Sequence, residues 1–147
     1  MKFAPIVHLI GMLLCILSIF MLIPALVDWF YGSNDWPAFI FSSLLTGLIG
    51  SFFYFSAKNN STEHLELRQA FLLTNSAWLS IALFGSLPFL FSQINMSFVD
   101  ALFESTSGIT TTGATVITNL DNTSHGILIW RALLQWLGGV GIIVMAL

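Results

Sequence analysis

The sequence predicts an all-α, polytopic membrane protein. A transmembrane helix hairpin occupies residues 1–60, and residues 61–147 form a unit in which two spanning helices flank a short half-helix and an extended strand. Three observations carry this prediction. Of 147 residues, 56% are hydrophobic and 7% charged, whereas soluble domains carry about 25% charged residues. The apolar residues fall into four runs near the roughly 20 residues that a spanning helix needs. Between the last two runs lies Phe103-Glu-Ser-Thr-Ser-Gly-Ile-Thr-Thr-Thr-Gly-Ala-Thr-Val116, a stretch too polar to be a span itself.

Composition also excludes classes of function. There is no basic run or basic face, so nucleic acid is not an expected partner, and the net charge of -3 implies neither an acidic nor a basic ligand. Cys15 is the single cysteine and sits in an apolar run, so no internal disulfide is possible and its expected role is packing.

The first span covers about Ile6 to Val27. A signal peptide is the rival, because Lys2 precedes an apolar run. The run exceeds a typical h-region, however, and no small-x-small cleavage site follows it. His8 is read as interfacial or hydrogen-bonded. Pro24, in the last turns, should kink or end the helix, and Asp28-Trp-Phe-Tyr31 reads as an interfacial belt. Gly32 to Trp36 is a short polar turn, after which Pro37 fits the first helical position of the second span, Pro37 to Ala57. Thr46-Gly47 and Gly50-Ser51 give that span a face of small residues, as close helix packing requires.

Lys58 to Arg68 is the most polar stretch. Glu63, His64 and Glu66 could in principle hold a metal, but so short a cluster is not diagnostic, and a solvated connector is the expectation. This connector holds two of the four basic residues, whereas the 28–36 loop holds only Asp28 and Asp35. The positive-inside rule therefore puts the N-terminus and the connector in the cytoplasm and the 28–36 loop outside.

The third span runs from about 68 to 91, with Gly85-Ser-Leu-Pro88 marking its outer end or a kink. Ser97 to Ser107 then reads as a half-helix. Ser97 is placed to cap it and Asp100 lies in its first turn. About ten residues make ~15 Å, half of a ~30 Å core, so this helix stops near the midplane. Gly108 is expected to end it in the left-handed conformation. The filter strand, about 109–115, then returns as extended backbone whose carbonyls lack helical partners. Such backbone is tolerated at membrane depth only inside protein or along a water-filled path, where a cation could exchange its hydration shell for the carbonyls. An ordinary surface turn is the alternative reading of a Thr-rich segment.

Asn119 to Ser124 is an external polar turn that also contains a glycosylation sequon, a weak signal. Ser124 can cap the last span, 125–147. Arg131 lies about two turns inside it, and an intramembrane arginine calls for a named partner. Glu104, at the same depth on the half-helix, is that partner, with Asp100 and Asp121 as alternatives and snorkelling to the surface as the competing arrangement. Glu104 and Arg131 are thus expected to brace the half-helix against the last span. Gly138-Gly139-Val-Gly141 reads as a packing notch or a hinge. A membrane enzyme is disfavoured, because Thr110 to Thr112 have no nearby Lys or His to activate a hydroxyl.

The order span, half-helix, Thr/Gly strand, span is the membrane-pore-membrane unit of potassium-channel-like proteins. The motif from Phe103 to Thr115, followed by Trp130-Arg-Ala-Leu-Leu-Gln-Trp-Leu-Gly-Gly-Val-Gly-Ile142, resembles the first pore repeat of the Trk/Ktr/HKT potassium transporter superfamily. The two spans ahead of it resemble the bacterial Trk branch. The resemblance covers the whole chain and implies potassium uptake across a bacterial inner membrane, with channel-like conduction and proton- or sodium-coupled symport both open. It implies that the backbone carbonyls of Thr110, Thr111, Thr112 and Gly113 are one quarter of the potassium sites, with Gly113 as the key filter glycine. It further implies three more repeats in a parent chain, a homodimer, and a cytosolic nucleotide-binding ring subunit of the TrkA-like kind. Because one repeat cannot surround an ion, the expectation is that the chain is a fragment. A non-conducting membrane subunit with a packed re-entrant loop is the competing function.

Overall fold

The computed structural model describes residues 4–57 and 67–146. Lys2 and the polar connector with Glu63, His64 and Glu66 lie outside the described residues. Among the described residues every regular element is helical. Helix α1 spans Ala4–Phe30, α2 Trp36–Ala57, α3 Leu67–Gly85, α4 Leu87–Phe91, α5 Phe98–Ile109 and α6 His125–Ala146. A single 3₁₀ turn, Leu120–Asn122, precedes α6. Four of these helical stretches are long and apolar enough to cross a membrane: Ala4–Phe30, Trp36–Ala57, Arg68–Phe91 and His125–Ile143.

Helices α1 and α2 form the hairpin. They approach closely because Gly11 and Gly50 face each other. A β-carbon on Gly11 would lie 2.7 Å from the Gly50 carbonyl oxygen, and the Ser43 hydroxyl donates to the Ser18 carbonyl across the same seam at 2.7 Å. His8 stacks on Tyr54 and bonds its carbonyl oxygen through Nδ1 at 3.1 Å. Pro24 does not end α1, which continues to Phe30. Proline inside a membrane helix is tolerated where neighbouring elements accommodate the lost bond, and Pro24 is buried against the rest of the fold.

The third span is interrupted at Ser86. Pro88 has no N–H and would crowd the carbonyl four residues back, so the helix stops at Gly85 and restarts as α4, which leads into the segment ahead of α5.

Helix α5 lies between α3 and α6, and the lines of contact are made by small residues. A β-carbon on Gly85 would come within 2.7 Å of the Ser105 hydroxyl, and one on Gly108 within 2.9 Å of the Leu134 β-carbon. Along α6, a single row at four-residue spacing carries the contacts. Gly126 meets α1, Trp130 donates its indole N–H to the Gly85 carbonyl at 2.9 Å, Leu134 covers Gly108, and Gly138 lies against the Ile109 carbonyl. Residues four apart share one face of a helix. Trp130, Leu134 and Ile127 are fully buried there with Phe39 of α2 and Phe89 of α4.

Candidate functional site

Ser97 begins α5. Its hydroxyl accepts the Asp100 N–H at 3.1 Å, which satisfies one of the amides orphaned at a helix start. The helix does not stop at Ser107, and Gly108 is not its left-handed terminator. It continues through Gly108 to Ile109, because Ile109 is buried, with its carbonyl against Gly138 of α6, and this packing supports the extra turn. Thr111 instead takes the left-handed conformation, with φ +60, followed by Gly113 at φ +77. Ile109 is therefore helical rather than the first residue of the returning strand. Thr110 and Thr111 form a turn, and the open backbone begins at Thr112.

Ser107 organises this turn. Its carbonyl accepts the N–H groups of Thr112 at 3.0 Å and Gly113 at 3.3 Å, and its hydroxyl donates to the Ala114 carbonyl at 2.6 Å. The Thr110 and Thr112 hydroxyls bond each other at 2.9 Å. No donor among the described residues reaches the carbonyl oxygens of Thr110, Thr111, Thr112 or Gly113, and residues 110–116 are all exposed. The segment thus presents unpaired carbonyls on an open face, while Ser107 and Glu104 hold it from behind.

Glu104 is 1% exposed. Its Oε2 accepts the Arg131 Nε–H at 3.0 Å. Its Oε1 accepts the Thr115 hydroxyl at 2.5 Å and the Val116 N–H at 2.6 Å. One carboxylate therefore joins three parts: the half-helix, the far end of the Thr/Gly segment and α6. Asp100, the first alternative partner for Arg131, accepts instead from the Ser97 hydroxyl at 2.7 Å, and Asp121 is exposed on the 3₁₀ turn. Sequence reasoning singled out Glu104 and Arg131 but not Ser107 or Thr115. The available signal was Glu104 and Ser107, three residues apart on one buried helix face, where polar groups usually find partners. The groups that could hold a metal through His, Cys, Asp or Glu clusters do not occur among the described residues.

Comparison with known proteins bears on this geometry. Residues 36–147 match the family model described as TrkH, cation transport protein. The chain is 40% identical over 147 residues to the Trk system potassium uptake protein TrkH of Escherichia coli, covering 99% of this chain and 30% of that protein. It is 37% identical over 142 residues to an uncharacterized cation transporter of Methanocaldococcus jannaschii. The crystal structure of the potassium transporter TrkH from Vibrio parahaemolyticus superposes with a TM-score of 0.94 at 40% identity, over 99% of this chain and 31% of that one. The chain spans about 30% of the length of the curated relatives it matches. Its spans and its transporter relatives make it a multi-pass membrane protein. The chain belongs to the TrkH cation transport protein family.

Proposed function

We propose that this chain supplies one of four filter strands of a potassium-selective uptake pathway. Residues 61–147 are the first membrane-pore-membrane repeat and 1–60 the preceding hairpin. The backbone carbonyls of Thr110, Thr111, Thr112 and Gly113 each contribute to potassium sites, and Glu104 with Arg131 fixes the strand that carries them. The observation that carries this reading is the exposed turn after α5, whose four carbonyl oxygens meet no donor among the described residues while half-buried bonds from Ser107 and Glu104 hold it from behind. Carbonyl groups so arranged replace a cation's hydration shell. The C-terminal end of α5, where the partial charge is negative, lies next to them. The names of the relatives, potassium uptake proteins, support the choice of ion.

The remaining three repeats belong to the parent chain. A homodimer, a cytosolic nucleotide-binding ring subunit, a bacterial inner membrane and a cytoplasmic N-terminus complete the proposal. The test is potassium rescue of cells that lack potassium uptake, by the full-length parent and by residues 1–147 alone. Growth at low potassium with the parent only is the expected result. Growth with the piece alone would mean that four copies assemble. Rescue by neither, with both in the membrane, would favour a non-conducting subunit.

A further inference from the structure

We infer that the junction of α1 and α2, with Asp28 in the last turn of α1 and Asp35 just ahead of α2, is a positioning device for the filter, and that these two acids hold the two ends of the pore loop; this rests on the transport reading above. The two acids look like ordinary loop charges in the sequence, yet both are buried, Asp28 at 0% and Asp35 at 7% exposure. Asp35 Oδ1 accepts the Gln93 N–H at 2.7 Å. Asp28 Oδ1 accepts the Gly126 N–H, also at 2.7 Å. Gln93 lies between α4 and α5, and Gly126 lies in the first turn of α6. Everything between those amides, namely α5, the Thr/Gly turn and the strand that Glu104 grips, is therefore bracketed by two carboxylates from outside the repeat.

The chemistry favours acids at these points. The Gly126 amide is one of the first-turn N–H groups with no intrahelical partner, so a carboxylate there gains both the bond and the field of the helix N-terminus. With Asp28 in place, a β-carbon on Gly126 would overlap its carboxylate, which would have to move aside. Asp28 Oδ2 has no hydrogen-bond partner among the described residues, so the hold on α6 depends on the Oδ1 bond. Fixing both ends of a loop narrows the positions open to its middle, and a filter discriminates between ions through the placement of its carbonyls.

The experiment uses the full-length protein. Asp28→Ala and Asp35→Ala are read by amide hydrogen exchange at residues 93 and 126 and by potassium-over-sodium competition at matched membrane abundance. Loss of a hydrogen bond to a charged group corresponds to a roughly ten- to hundred-fold rise in opening. The expected exchange is accelerated by that order at Gly126 in Asp28→Ala and at Gln93 in Asp35→Ala, and potassium preference falls in both. Asp28→Asn and Asp35→Asn, whose amide oxygen still accepts, should stay close to wild type in preference. Gly126→Ala displaces the Asp28 carboxylate without deleting it and supplies the same test if Asp28→Ala does not accumulate. Combined with Asp28→Ala it should be no worse than either change alone. Faster exchange with unchanged ion preference would reduce the two acids to simple structural ties and overturn the inference. Unchanged exchange would overturn it outright. If the wild type shows no potassium preference, the transport reading fails, and exchange alone decides whether the acids hold the loop.

Discussion

Replacing Glu104 with Gln removes one charge from the centre of the site and little volume. The carboxylate side chain is wholly buried and the Arg131 side chain is 15% exposed. In the glutamine variant one oxygen can still accept from the Val116 N–H and the Thr115 hydroxyl. The other position becomes an amide N–H₂ that faces the Arg131 Nε–H, donor against donor, and the guanidinium is left without its counter-charge. Removing one member of a buried pair costs about 3–5 kcal/mol, most of it the isolated charge. At membrane depth, an unpaired arginine on its own carries a penalty of roughly 2.5–3.5 kcal/mol, so the two routes give the same order. Arg131→Gln should be milder, because the surviving carboxylate keeps two donors. The double variant should recover part of the loss, with a coupling of about 1–3 kcal/mol expected for residues in direct contact. The assay is denaturant unfolding of the purified full-length protein in detergent, paired with potassium uptake. Both single variants retaining wild-type unfolding and wild-type uptake would refute the brace.

Two other substitutions probe the same unit. Gly138→Ala gains up to about 1 kcal/mol of helix propensity, yet its β-carbon would overlap the Ile109 carbonyl. Overpacking typically costs about 1–3 kcal/mol, so net destabilisation is expected in the same unfolding assay, and stabilisation would show that α5 yields freely. Gly113→Ser places a side chain at φ +77 and against the Gln135 amide. Strain of about 1–2 kcal/mol from the left-handed conformation should shift the strand and lower potassium-over-sodium preference in competition uptake, and an unchanged ratio would remove Gly113 from the filter.

The parts of this fold that were legible in the sequence are those set by solvent or by local geometry. Four spans follow from apolar length, and Ser97 is readable as a cap because its partner is three residues away. Glu104 and Arg131 were legible for a different reason, since a charge buried in a membrane has few permitted partners. The end of α5 was not legible. Gly108 has the chemistry of a terminator, but the deciding contact is Ile109 against Gly138, on another helix. The roles of Asp28 and Asp35 were hidden too, because their partners lie 98 and 58 residues along the chain. Local pattern records that these residues are acidic and near a turn, but not that the fold buries them.

The row of contacts on α6 has a mechanical consequence. Gly126, Trp130, Leu134 and Gly138 are pinned in turn to α1, α3 and α5 over a length of about 18 Å. To slide by one turn, the helix would have to bring Leu134 or Ile142 into the place of Gly138, where no β-carbon fits beside the Ile109 carbonyl. The first two-thirds of α6, up to Gly138, is therefore tied to the half-helix as one piece. Beyond Gly138 the ties are fewer among the described residues: Gly139 has nothing within 4 Å of its β-position, and Gly141 meets the Trp78 ring at 4.0 Å. A bend of α6 is expected to pivot there and leave the turn after α5 in place.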